Sequence, residues 1–159
     1  VEDVDYNTAG LYYVTYFYTN KDGYLTKAKR TVAVCDPSIT TDIEGKYKVQ
    51  SGSYRDNGSA QEEYAKYSVT IRKDAPGLFY ISDLLGGYYD QGRGYGSQYA
   101  MTGYIQLLSD NTIKLLSSHV DGFGDSLDSM ENGKYNPETG EISFDVAYAG
   151  QMTFHVILK

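Results

Sequence analysis

A chain of 159 residues holds one ordinary hydrophobic core, or a small module joined to a medium one, and leaves no room for many domains. Its formal net charge of -7 excludes the basic footprint that nucleic acid or an anionic membrane face requires. The 18 tyrosines and 17 glycines, with no tryptophan, favour pleated half-buried surfaces joined by tight turns, and the single cysteine excludes an internal disulfide framework.

The chain opens on the acidic Val1-Glu2-Asp3-Val4-Asp5 and has no apolar run long enough to span a bilayer, so any targeting segment is expected upstream. Residues 11–18 and 24–35 are β-rich and meet across Asn20-Lys21-Asp22-Gly23, whose Asp-Gly tolerates positive φ, which predicts a β-hairpin. Cys35 closes the alternation Val32, Val34 and reads as a small residue at a strand end. A lipid-bearing cysteine would sit instead at a mature N-terminus behind a cleaved signal. The polar stretch from Asp36-Pro37 to Asp42 serves as a linker, dividing the chain into residues 1–36, a linker at 37–42, and residues 43–159.

Beyond the linker, short strand-like runs recur between turn signals. Residues 45–50 begin the series; Tyr67, Val69 and Ile71 alternate with polar neighbours; residues 78–81 follow the turn at Ala75-Pro76-Gly77. Residues 104–108 and 112–116 flank the tight turn Ser109-Asp110-Asn111. The clearest pair comes last, with Ile142, Phe144, Val146 and Tyr148 alternating in one strand and Met152, Phe154, Val156 and Leu158 in the next. No segment sustains a helical apolar period, although residues 58–66 and 126–131 each have the composition of a single helical turn. The predicted class is all-β: a partial immunoglobulin-like hairpin followed by an antiparallel β-meander forming a barrel or a sandwich.

Two resemblances support that division. The run Asp5-Tyr6-Asn7-Thr8-Ala9-Gly10-Leu11-Tyr12-Tyr13-Val14, with Tyr12 at the corner, and Arg30-Thr31-Val32-Ala33-Val34 resemble the closing half of bacterial surface immunoglobulin-like modules. A complete sandwich of that kind needs about seven strands and only the last two are present. The resemblance therefore implies that the chain is a fragment, or that the hairpin borrows a second sheet from the C-terminal domain or from a neighbouring copy. An isolated hairpin is marginal in water.

Residues 43–159 are similar to the lipocalin-like or calycin-like domains of gut-bacterial outer-membrane lipoproteins. The similarity rests on Ile43-Glu44-Gly45-Lys46-Tyr47, Gly77-Leu78-Phe79-Tyr80-Ile81-Ser82-Asp83-Leu84-Leu85-Gly86-Gly87-Tyr88-Tyr89 and Asn132-Gly133-Lys134-Tyr135-Asn136-Pro137-Glu138-Thr139-Gly140-Glu141-Ile142. It implies a cell-surface or periplasmic setting, reached through an upstream lipid anchor, and transfers no catalytic residue.

The most unusual stretch is residues 86–99, in which glycines and tyrosines surround a single arginine. No helix follows Gly92-Arg93-Gly94, so a phosphate-binding loop is excluded. Tyrosine offers flat amphipathic contact area at low entropic cost, so Tyr88, Tyr89, Tyr95 and Tyr99 are the candidates for stacking on a sugar. Asp90, Gln91 and Arg93, with Gln98, would bond its hydroxyls. The competing reading is that these rings plug one end of the fold. The loop Asp121-Gly122-Phe123-Gly124-Asp125-Ser126-Leu127-Asp128 has oxygen ligands a hard cation could use but lacks the EF-hand spacing, and its Asp and Gly suit ordinary turns. His119 and His155 lie at no metal-ligand spacing, and no nucleophile elbow or triad is present.

No cofactor, metal or catalytic residue is assigned. The expected function is a non-catalytic binding module contacting a neutral glycan. The alternatives are a docking accessory of an outer-membrane complex, and a barrel holding a hydrophobic ligand among Tyr67, Val69, Phe144 and Val156. Self-association through the N-terminal hairpin is a further expected contact.

Overall fold

The computed structural model describes residues 3–159. Strands β1 (Gly10–Thr19) and β2 (Leu25–Val34) pair antiparallel from Gly10↔Val34 to Thr19↔Leu25 and form a two-stranded sheet of their own. The turn between them is shaped by Asn20, whose Oδ1 accepts from the amides of Asp22 (3.0 Å) and Tyr24 (2.9 Å), and by Gly23 at φ 84°.

Ten further strands divide into two antiparallel sheets. One runs β3-β6-β7-β8-β9 and contains β3 (Gly45–Lys48), β6 (Ser68–Ala75), β7 (Leu78–Ile81), β8 (Thr102–Leu107) and β9 (Ile113–His119). The other runs β10-β11-β12-β4-β5 and contains β4 (Tyr54–Asp56), β5 (Gln61–Glu63), β10 (Ser129–Asn136), β11 (Glu141–Tyr148) and β12 (Met152–Leu158). The sheets meet at two corners through single bridges, Val49↔Leu158 and Thr112↔Lys134. The barrel is therefore not closed, and the sheets face each other as a sandwich.

The alternation seen in the last two strands builds the core directly. Ile142↔Leu158, Phe144↔Val156 and Val146↔Phe154 lie opposite one another in register, and all six are buried. Facing them from the first sheet are Val69, Ile71, Phe79, Ile81 and Ile105, all buried in the same cluster. Val69, Phe144 and Val156 thus fill the space a hydrophobic ligand would need, and the ligand-filled barrel is corrected to a packed core.

The two helical turns expected at residues 58–66 and 126–131 do not form. Residues 61–63 are the edge strand β5, where Glu62 lies opposite Arg55, and β10 begins at Ser129 opposite Ala147. Cross-strand pairing outweighs the helix propensity of Gln, Glu and Ala in so short a run. Conversely, residues 86–99 contain a π-type turn at Tyr88–Gly92 and a 3-10 turn at Ser97–Tyr99, neither signalled by periodicity.

The hairpin does not borrow its second sheet from the rest of the chain. Its base alone is seated, with Gln106 Nε2 donating to the Ala9 carbonyl at 3.3 Å and Cys35 beside Ile39 and Leu78. Partial burial there pushes the Cys35 thiol pKa up. Beyond the base, Tyr16, Phe17, Tyr18, Tyr24 and Leu25 are exposed.

Tyr12 donates its hydroxyl to the Thr8 carbonyl at 2.7 Å, as the corner reading requires. Tyr47 makes the same bond to Ile43 at 2.7 Å, and each ring packs over a glycine two residues earlier, Gly10 or Gly45. The device starts a strand in both halves of the chain, so it is not peculiar to an immunoglobulin corner.

Candidate functional site

Between β7 and β8 the chain makes a long excursion over one end of the sandwich, and Asp83 fixes its two ends. This carboxylate is buried and accepts from the amides of Leu85 (2.8 Å), Gly87 (3.0 Å) and Met101 (3.2 Å). Burial pushes its pKa up to about 7, against the opposing pull of those three N–H groups. Gly87 must be glycine: its φ is 79°, and a Cβ would stand 2.7 Å from the Tyr67 Cβ.

The seven candidates of the loop separate into two groups. Tyr88 is buried against Tyr64 (5.3 Å between ring centroids) and Phe154 (5.4 Å), so it plugs the end of the core and is unavailable to a ligand. Its hydroxyl donates to Glu62 Oε2 at 2.7 Å, and Arg93 Nη2 donates to both the Tyr88 hydroxyl (2.6 Å) and Glu62 (2.9 Å). Gln91 pairs its side-chain amide with the backbone of Ser68, accepting from N at 2.9 Å and donating to O at 2.8 Å, as a neighbouring strand would. Gln91 and Arg93 are thus committed to holding the loop down.

The second group faces outward. Tyr89, Tyr95 and Tyr99 form a closed cycle of rings with Phe123 from the β9–β10 connection. Centroid separations around it are 6.0 Å (Tyr89–Tyr95), 5.4 Å (Tyr95–Tyr99), 4.8 Å (Tyr99–Phe123) and 5.3 Å (Phe123–Tyr89). Tyr95 is 51% and Phe123 44% exposed, while Tyr89 and Tyr99 are half-buried beneath them. Asp90 is half-buried beside them, and its carboxylate has no hydrogen-bond partner among the described residues.

Two contacts join the loops that carry the cycle. The Gly122 amide donates to the Gln98 carbonyl at 2.7 Å, and the Tyr99 ring lies so close to Gly122 that a Cβ there would stand 2.5 Å from it. Tyr148 anchors the second loop by donating to Asp125 Oδ1 at 2.8 Å, and burial, with that bond second to it, pushes the Tyr148 pKa up. Phe123 is the residue that sequence reasoning missed. An apolar ring between two glycines in an otherwise acidic loop was the available signal.

The acidic residues of that loop go to different partners. Asp121 pairs with His119 (3.0 Å), Asp125 with Tyr148, and Asp128 accepts from the Gly150 amide (2.7 Å). Among the described residues no three His, Cys, Asp or Glu side chains are grouped as a metal site needs. His155 sits on the outer face of the second sheet, with Nδ1 2.5 Å from Asp145 and its ring stacked 5.3 Å from Tyr54. The bonds from Asn132 and His155 outweigh burial and hold the Asp145 pKa below the usual carboxylate value.

Fold and site together define an antiparallel two-sheet module that presents an aromatic platform on loops at one end. The chain belongs to the family whose model, described as a "-like, C-terminal domain", matches residues 36–159. It is similar to the crystal structure of the lipoprotein BT2262 from Bacteroides thetaiotaomicron, at 45% sequence identity and a TM-score of 0.72. That match covers 99% of this chain and 78% of the other. No curated protein matches the chain. Among the described residues no helix is long and apolar enough to cross a membrane.

Proposed function

We propose that this chain is a non-catalytic binding module, held outside the cytoplasm, that takes a neutral glycan on the platform of Tyr89, Tyr95, Tyr99 and Phe123. The carrying observation is the ring cycle itself, in which two loops converge to expose Tyr95 and Phe123 over two supporting tyrosines. The C–H face of a pyranose stacks on such rings. The unpaired Asp90 carboxylate and the polar Gln98 side chain lie in the same loop to receive its hydroxyls. The net charge of -7 disfavours an anionic polymer. The extracytoplasmic setting is supported by the similarity to a lipoprotein.

The second reading is a docking surface for another protein, and it is favoured by Phe123, which brings no hydroxyl to a sugar. Affinity electrophoresis across a panel of neutral polysaccharides separates the two. Retardation by at least one polysaccharide is expected, with Tyr95→Ala and Phe123→Ala each weakening it several-fold, since a stacked ring contributes about 1 kcal/mol. Retardation by none of them would reject the glycan reading and leave the protein-docking one.

A further inference from the structure

The chain has three methionines, and their surroundings differ. Met101 is fully buried. Met130 is half-buried against the core, and among the described residues no donor is bonded to its sulfur. Met152, which opens β12 opposite Tyr148, is half-buried as well but has two donors on its sulfur. Arg55 Nη2 donates to Sδ at 3.1 Å, and the Tyr89 hydroxyl donates to it at 3.6 Å.

A thioether is a weak acceptor for such donors, and Arg55 is short of better ones. Its Nε is enclosed by protein without a hydrogen-bond partner, and among the described residues its guanidinium pairs with no carboxylate. Glu62 lies opposite Arg55 across β4 and β5, but its Oε2 is taken by Tyr88 and Arg93. The guanidinium stands instead over the Tyr88 ring, 5.5 Å from its centroid. A donor withdrawn from water without an oxygen acceptor is costly, and an oxygen placed on Met152 would supply one.

We propose that Met152 is a site of oxidation by a peroxide, and that the sulfoxide oxygen is held by Arg55 and Tyr89. The sulfur lone pair attacks one peroxide oxygen, so the S–O bond forms as the O–O bond breaks. The departing hydroxide takes the proton left on the transferred oxygen and leaves as water; sulfur is oxidised and the peroxide reduced. A sulfoxide ordinarily disrupts a packed methionine because it turns an apolar group polar. At Met152 that polarity meets donors already in place, and the flexible unbranched side chain can seat the oxygen between them. Tyr89 belongs to the ring cycle, so the bond ties the oxidation state of Met152 to the platform, whatever the platform binds.

Urea midpoints of full-chain variants test the donors first. Leucine is ordinarily the milder replacement for a half-buried methionine. Here Met152→Gln, which keeps a side-chain oxygen for Arg55 and Tyr89, should have the higher midpoint and Met152→Leu the lower. The order should reverse in an Arg55→Leu background, and Tyr89→Phe, which removes the hydroxyl and keeps the ring, should narrow the difference. Oxidation is then read in a C35S/M130L chain, which leaves Met152 as the sulfur that solvent reaches. Peptide mass spectrometry after dilute hydrogen peroxide should find Met152 converted and Met101 reduced, with the urea midpoint of the oxidised chain retained. The same treatment with Arg55→Leu added should lower that midpoint. A Met152→Leu chain more stable than Met152→Gln while Arg55 is present overturns the proposal. So does a Met152 that stays reduced in peroxide that oxidises Met130 of the wild type, or an oxidised chain that loses as much stability with Arg55 as without it.

Discussion

Asp83 carries more of the loop than any other single residue, because one carboxyl group satisfies three backbone amides that would otherwise be buried without acceptors. Its raised pKa also gives stability a pH dependence of definite sign. The folded protein binds this proton more tightly than the unfolded chain, whose aspartate titrates near ~3.9. The contribution is therefore complete below about pH 4 and is lost as pH rises through about 7. The carboxylates with lowered pKa values, Asp74, Asp110 and Asp145, act in the opposite sense and at more acid pH, where they are protonated. Urea midpoints should fall between pH 5 and pH 8, the range bracketing the Asp83 transition. In Asp83→Asn the midpoint should be lower throughout and this slope should vanish. A slope that survives the substitution would assign the proton to another group.

At the scale of the element, the loop of residues 86–99 is fastened from inside by Tyr88 and from its flank by Gln91 and Arg93, and this frees Tyr95 and Tyr99 for the surface. Gln91→Ala removes two hydrogen bonds in a partly solvated place and should cost about 1–2 kcal/mol at most. It should raise amide exchange across residues 86–99 by several-fold while leaving β11 and β12 protected, a contrast that hydrogen-exchange mass spectrometry reads directly. Exchange that rises throughout the sheets would show instead that the loop and the sandwich unfold as one unit.

The same element shows where sequence reading succeeded and where it stopped. The strands β11 and β12 were legible because a period of two, uninterrupted across both, has one burial solution. The excursion of residues 86–99 was legible as unusual from its glycines and tyrosines, yet composition could not divide its rings into plug and platform. That division depends on Tyr64 and Phe154 closing around Tyr88 and on Phe123 arriving from another loop, both of which are long-range contacts. The turns at Tyr88–Gly92 and Ser97–Tyr99 escaped notice because each is shorter than any helical period.

For the whole molecule, the sandwich is a packed support with the rings of Tyr89, Tyr95, Tyr99 and Phe123 gathered on loops at one end. The core is filled from both sheets, so it holds no ligand, and any binding has to occur at the surface. Among the described residues, the platform combines exposed rings, a fixed backbone and an unpaired carboxylate beside them. Its location on loops of a packed scaffold is the usual arrangement for binding residues. The most direct test is an NMR titration of the protein, with its tyrosine and phenylalanine rings isotope-labelled, against a neutral oligosaccharide drawn from a polysaccharide that retards the protein. The shifts are predicted to concentrate on Tyr95, Tyr99 and Phe123 and to leave the buried ring of Tyr88 and the hairpin rings of Tyr16 and Tyr18 unmoved. Shifts confined to the hairpin, or spread evenly over the rings without saturating, would contradict the account.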